Sequence, residues 1–144
     1  NYLGQKDNIA KGFIAEPLGQ GAYCPLSIED VGIASAELLL KPHPHLNKAY
    51  DLTGPKALSG VQLAHRLSKI VGHNVKYINA DPEQTYQFLA QFMADYQAKG
   101  MLELYNLFSN NRVTTPSNDF TLITGRTGTR FYNRMKQLKA WGAL

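Results

Sequence analysis

In the first half of the chain, short apolar runs alternate with stretches whose apolar residues recur every three or four positions, and in the second half only the longer spacing remains. Period two lines the faces of a strand and period 3.6 lines one face of a helix, so this order predicts an α/β fold with a mostly helical second half. Phe13-Ile14-Ala15 reads as a short strand, followed by the glycine turn Leu18-Gly19-Gln20-Gly21-Ala22 and a second extended piece from Tyr23. Ser27 and Asp30 have the spacing of a capping box. Val31, Ala34 and Leu38 then mark one helix face, which should end near Lys41 because Pro42 and Pro44 cannot continue it.

Ala49-Tyr50-Asp51-Leu52 alternates like a strand and stops at Thr53-Gly54-Pro55, a loop signal. Ser59 and Gln62 predict a second capping box, opening a helix striped by Val61, Ala64, Leu67 and Val71 and closed by Gly72. Val75, Tyr77 and Ile78 give a strand. Asp81-Pro82-Glu83-Gln84 starts a helix carried through Leu89, Phe92, Met93 and Tyr96 to Lys99-Gly100. Met101 to Phe108 is rich in helix formers, 110–118 is a loop, and a short helix near Phe120 to Ile123 ends at Gly125. Thr129 is placed to cap a last helix, in which Phe131, Met135 and Leu138 share a face.

Composition narrows the class. A chain of 144 residues fits one domain and buries a core without staples, and Cys24, the single cysteine, excludes an internal disulfide and suits a reducing, cytoplasmic setting. The longest apolar stretch, 33–40, falls far short of the roughly 20 residues of a membrane span. No signal segment is visible, and no membrane contact is expected. The net charge of +4 concentrates at the end, where Arg112, Arg126, Arg130, Arg134, Lys136 and Lys139 face Asp119 alone. A solvated helix face is the plain reading of that surplus, and nucleic acid is not an expected partner.

The string Pro25-Leu26-Ser27-Ile28-Glu29-Asp30-Val31-Gly32, a small-residue helix ending Glu37-Leu38-Leu39-Leu40, and Tyr50-Asp51-Leu52-Thr53-Gly54-Pro55 together resemble the NmrA-like group of atypical short-chain dehydrogenase/reductases. Ala57-Leu58-Ser59, Leu63-Ala64, Leu67-Ser68, Gly72-His73-Asn74-Val75-Lys76-Tyr77 and Thr124-Gly125-Arg126 continue the match in order and spacing. The resemblance is strongest over 25–77. It implies a Rossmann-type fold, of which residues 1–144 are a single region, the C-terminal, substrate-side part with a mostly helical lobe. The N-terminal nucleotide-binding half is expected to be absent.

Chemistry-bearing motifs are sparse. Gly19-Gln20-Gly21-Ala22-Tyr23-Cys24 begins like a dinucleotide fingerprint, but it precedes a strand and reads as a turn. Tyr2-Leu3-Gly4-Gln5-Lys6 and Tyr132-Asn133-Arg134-Met135-Lys136 have the tyrosine-to-lysine spacing of many dehydrogenases, in which the lysine assists proton exchange by the phenol. Neither copy occupies the family's catalytic position. His43 and His45 lack a third ligand and read as a loop pair, so no metal is expected. Of the set Tyr86, Phe88, Phe92, Met93, Tyr96, Met101, Tyr105 and Phe108, most members are expected in the core, with Tyr105 able to present its hydroxyl to a cleft.

The resemblance implies that the intact protein is an NAD(P)H-dependent oxidoreductase acting on quinones or small carbonyl compounds. This region would form the substrate pocket, with Asn1, Tyr2, Tyr23 and Tyr105 as its candidate lining. The region alone should be inactive. The alternative that the same resemblance implies is a non-enzymatic NAD(P) sensor that regulates transcription through a protein partner.

Overall fold

The computed structural model describes residues 2–144, with the side chains of Tyr2 and Leu3 outside the description. A 3-10 turn at Tyr2–Gln5 leads into α1 (Lys6–Ala10), and β1 (Phe13–Glu16) follows. Next come β2 (Ala22–Tyr23), α2 (Ile28–Leu40), a 3-10 turn at His43–His45, β3 (Leu58–Ser59) and α3 (Gly60–Val71). The chain continues through β4 (Lys76–Asn79), α4 (Pro82–Leu89), α5 (Asp95–Ser109), α6 (Asp119–Thr124) and α7 (Phe131–Ala140).

β1 and β4 pair in parallel with Ile14 opposite Tyr77, while β2 and β3 form a small antiparallel pair. The main core lies where α3 covers the parallel pair and α7 packs against α3. Ile14, Leu63 and Leu67 are wholly enclosed there, and Phe131, Met135 and Leu138 present the apolar face of α7 to it as their spacing predicts. A second, smaller core joins Ala34 of α2 to Phe120 and Ile123 of α6.

Local signals explain most element boundaries. Ser59 accepts the Gln62 N–H, and Gln62 reaches back to the Ser59 N–H, so the capping box opening α3 is complete. Gly72 closes that helix at φ +88°, the left-handed region a glycine enters without Cβ strain. Ser68 Oγ accepts the Val75 N–H at 2.8 Å, tying the end of α3 to the approach of β4. At the far end, Lys139 Nζ donates to the Ile70 carbonyl at 2.6 Å and anchors α7 to the last turn of α3, where a cation is favoured.

Several expectations from the pattern fail for definable reasons. Residues 49–52 form no strand, and the Asp51 N–H, which a ladder would use, donates instead to Asp119 Oδ2 at 2.7 Å. Tyr50 and Leu52 pack instead against the α2–α6 core. Val31 and Val61 are exposed, and the buried stripe of α3 runs through Leu63, Ala64, Leu67 and Ile70. The helix expected from Pro82 to Gly100 is two helices. Ala94 turns extended, Gln97 caps its N–H, and Tyr86 Oη donates to Asp95 Oδ1 at 2.5 Å, folding α5 back along α4; Gly100 then lies inside α5. The aromatic residues of this hairpin are not core: Phe88 is 59%, Phe92 71% and Tyr96 75% exposed.

Candidate functional site

An open cavity of about 400 Å³ lies between the segment 23–29 and one face of α7. Tyr23, Leu26 and Ile28 form one wall, and Phe131, Met135 and Leu138 form the other. Phe108, near the end of α5, completes it. The Tyr23 and Phe108 rings stack with centroids 4.5 Å apart and planes 15° from parallel. Mostly apolar walls with a few convergent polar groups are the usual form of a small-molecule site. Ser27, Glu29, Thr129 and Arg134 supply those polar groups.

The sequence builds these walls through close backbone approaches. A Cβ on Gly21 would stand 2.1 Å from the Phe108 carbonyl oxygen, so only glycine lets β2 lie against the end of α5 and bring Tyr23 onto Phe108. The Ala22 N–H donates to Asn111 Oδ1 at 3.1 Å and fixes the same junction. Gly54 donates its N–H to the Cys24 carbonyl at 3.1 Å, and a Cβ there would meet the Pro25 oxygen at 1.8 Å. The Thr53-Gly54-Pro55 loop therefore braces the cavity from behind.

Arg134 sits at the rim. Its guanidinium pairs with the Glu29 carboxylate and lies 5.2 Å from the centre of the Trp141 ring, leaving the side chain 16% exposed. Arg134 and Lys139 thus have structural partners, and the basic surplus of this helix is not simply a solvated face. Cys24 also lines the cavity; burial raises its thiol pKa, which keeps it protonated and poorly nucleophilic. On the far side of Pro25 and Phe131, a more polar cavity of about 590 Å³ is lined by Lys56, Arg66 and Arg130.

Of the residues singled out from sequence, Tyr23 lines the apolar cavity. Tyr105 opens instead onto a separate depression of about 340 Å³ with Pro17, Pro82 and Asn106, although its ring meets Phe108 edge-on at 6.4 Å. Burial, and then the nearby negative Glu16, push its phenol up to about 12. Asn1 and the side chain of Tyr2 lie outside the described residues. Phe108, Phe131 and Met135 were legible only as helix-face residues, while Glu29 and Arg134 gave no signal because their pairing joins distant positions.

The Gly19-Gln20-Gly21 turn does not form a nucleotide cradle. Gly21 is spent on the approach to Phe108, and the turn feeds β2 rather than the start of a helix, so no pyrophosphate site is built there. Tyr132 lines the polar cavity on the far side of Phe131. His45 Nδ1 hydrogen-bonds the Tyr50 hydroxyl at 2.7 Å, and no cluster of three metal-ligating side chains occurs among the described residues. No helix among them is long and apolar enough to cross a membrane.

No family model matches the chain. An NAD(P)H azoreductase from Xenophilus azovorans is 34% identical over 122 residues, covering 84% of this chain and 42% of that protein. The fold superposes on an NADPH-dependent quinone oxidoreductase from Escherichia coli, complexed with NADPH, with a TM-score of 0.80 at 22% identity, over 97% of this chain and 50% of the other. A Citrobacter sp. triphenylmethane reductase complexed with NADP(H) gives 0.78 at 23%, over 94% and 47%. Over most of its length the chain is similar to part of these reductases, in keeping with the NmrA-like resemblance carried by 25–77. It spans less than half the length of the curated relatives it matches and corresponds to the C-terminal portion of the reductase structures.

The motif that carries the NmrA-like resemblance is architectural. Ser27 accepts the Asp30 N–H at 3.0 Å and caps α2, but Asp30 does not close the box: its carboxylate is buried against Thr129. Thr129 accordingly does not cap α7, and Arg130 holds the cap position without a side-chain bond. The family string thus frames the cavity rather than supplying reactive groups.

Proposed function

We propose that this chain is the substrate-side part of an NAD(P)H-dependent oxidoreductase, and that the cavity between Tyr23 and α7 receives a flat quinone or another small carbonyl compound. The observation that carries the proposal is the stacked Tyr23–Phe108 pair in the wall of an otherwise apolar cavity. Such a wall offers a planar ring dispersion and offset stacking contacts, while the Ser27 hydroxyl, which accepts the Asp30 N–H, keeps its own hydrogen to donate to a carbonyl oxygen. The relatives that act on an azo compound, a triphenylmethane or a quinone support the reading by their names.

In this reading residues 1–144 are one region and the nucleotide-binding half belongs to a longer, cytoplasmic protein. β1 has a single strand partner among the described residues, and parallel pairs are normally members of larger, covered sheets. NAD(P)H would supply the hydride from that other half. The residues of this chain bind and orient the acceptor and exclude water around it; on their own they should not turn over. Asn1, Tyr2 and Tyr105 remain proposed as substrate-pocket residues of the intact protein.

The test is oxidation of NAD(P)H by the full-length protein across neutral quinones and small carbonyl compounds. Turnover that loses substrate affinity in F108A supports the proposal. Tight NAD(P)H binding with no turnover on any acceptor would overturn it in favour of a sensor acting through a protein partner.

A further inference from the structure

We propose that Glu29 sets the charge selectivity of this cavity by occupying Arg134, so that the site favours neutral planar aromatic compounds over anionic ones. The inference rests on the cavity being the substrate site. Among its lining residues Glu29 and Arg134 alone carry charge. Arg134 projects from the helix that also supplies Phe131, Met135 and Leu138, and with only 16% of its side chain exposed its guanidinium is largely withdrawn from water. A guanidinium presents a planar fork of donors suited to a carboxylate or sulfonate, and its attraction strengthens beside apolar walls. The Glu29 carboxylate already takes up that fork, and Trp141 lies against the guanidinium at 5.2 Å. Glu29 is half exposed and so is the more solvent-open member of the pair. It also lies in the first turn of α2, where the helix favours a negative side chain. The pair leaves the cavity wall neutral; removing the charge of Glu29 leaves it cationic.

The experiment measures equilibrium binding of a neutral naphthoquinone and of the same ring bearing a sulfonate to the full-length protein. Wild type should prefer the neutral ring. E29Q keeps a hydrogen-bond acceptor beside Arg134 but removes the charge, and should shift the affinity ratio toward the sulfonate by roughly tenfold, equivalent to ~1.4 kcal/mol. Added salt should shrink the shift, and E29Q/R134Q should abolish it. An unchanged ratio in E29Q, or a shift that survives in the double variant, overturns the inference even if the neutral quinone binds. If neither compound binds wild type, the cavity is not the substrate site, and both readings fall.

Discussion

The carboxylate of Asp30 accepts both the backbone N–H of Thr129, at 2.7 Å, and its hydroxyl, at 2.9 Å, joining positions 99 residues apart. Asp30 belongs to the first turn of α2 and is only 4% exposed, while Thr129 immediately precedes Arg130, the cap residue of α7. The contact therefore fixes where α7 begins, and with it Phe131, Arg134 and Met135 along the cavity. Hydrogen bonds to a buried charged group contribute about 1.5–3 kcal/mol each, and deleting one partner strands the other. D30A should lower unfolding stability by about 3 kcal/mol in urea titrations of the full-length protein, and T129A by about 1–2 kcal/mol. The double variant should be less unstable than the sum. Additive losses would mean that the two residues act independently.

The Tyr23–Phe108 stack gives a second expectation. Aromatic pairs contribute ~0.5–1.5 kcal/mol beyond the area they bury, a factor of roughly two to ten in affinity if the substrate ring extends the stack. Y23A and F108A should each raise KM for a quinone within that range, with a smaller effect on kcat. Their effects should be non-additive, because each removes the same pair. An aliphatic carbonyl substrate should be much less sensitive, and equal sensitivity would remove stacking from the account.

Those two relationships show what could and could not be read from the chain. Caps and turns are local, so Ser27, Ser59 and Asp81 announced their helices and Gly72 announced a helix end, and the structure agrees at each. The apolar face of α7 was equally legible, because Phe131, Met135 and Leu138 share one helix and one core. The Asp30–Thr129 bond was not, since both residues satisfied local templates, a capping box and an N-cap, that the tertiary contact overrides. Periodicity also failed across Phe92 and Tyr96, because it does not distinguish one helix from two that fold back on each other. In the cavity, Tyr23 could be picked out from a resemblance, whereas Glu29 and Arg134 became meaningful only when α7 was laid beside α2.

Tyr105 should remain a neutral phenol throughout the physiological range. Burial and then the charge of Glu16 push its pKa up to about 12 from an ordinary 10. Between those values the folded form holds a proton that the unfolded form has lost, so stability is fully present below pH 10 and declines as pH rises toward 12. Ultraviolet titration should show, besides the raised Tyr77 and Tyr86, a late-ionising component that disappears in Y105F, and E16Q should bring the midpoint of that component down. A midpoint near 10 in the folded protein would remove this account of Tyr105.

Gly54 offers the sharpest structural test, because its constraint is backbone against backbone. An added Cβ would lie 1.8 Å from the Pro25 oxygen, and no side-chain rotation can relieve that overlap. The Thr53-Gly54-Pro55 loop would have to withdraw from Cys24 and Pro25, breaking the Gly54-to-Cys24 hydrogen bond and shifting a wall shared by both cavities beside Phe131. Overpacking of this kind costs about 1–3 kcal/mol and sometimes more. G54A should therefore lower thermal stability clearly and weaken quinone binding together. G32A, on a helix position where an added Cβ meets nothing within 4 Å, should do neither and should raise stability through better helix propensity, by up to ~1 kcal/mol. Equal effects of the two substitutions would show that the Gly54 contact does not constrain the cavity wall.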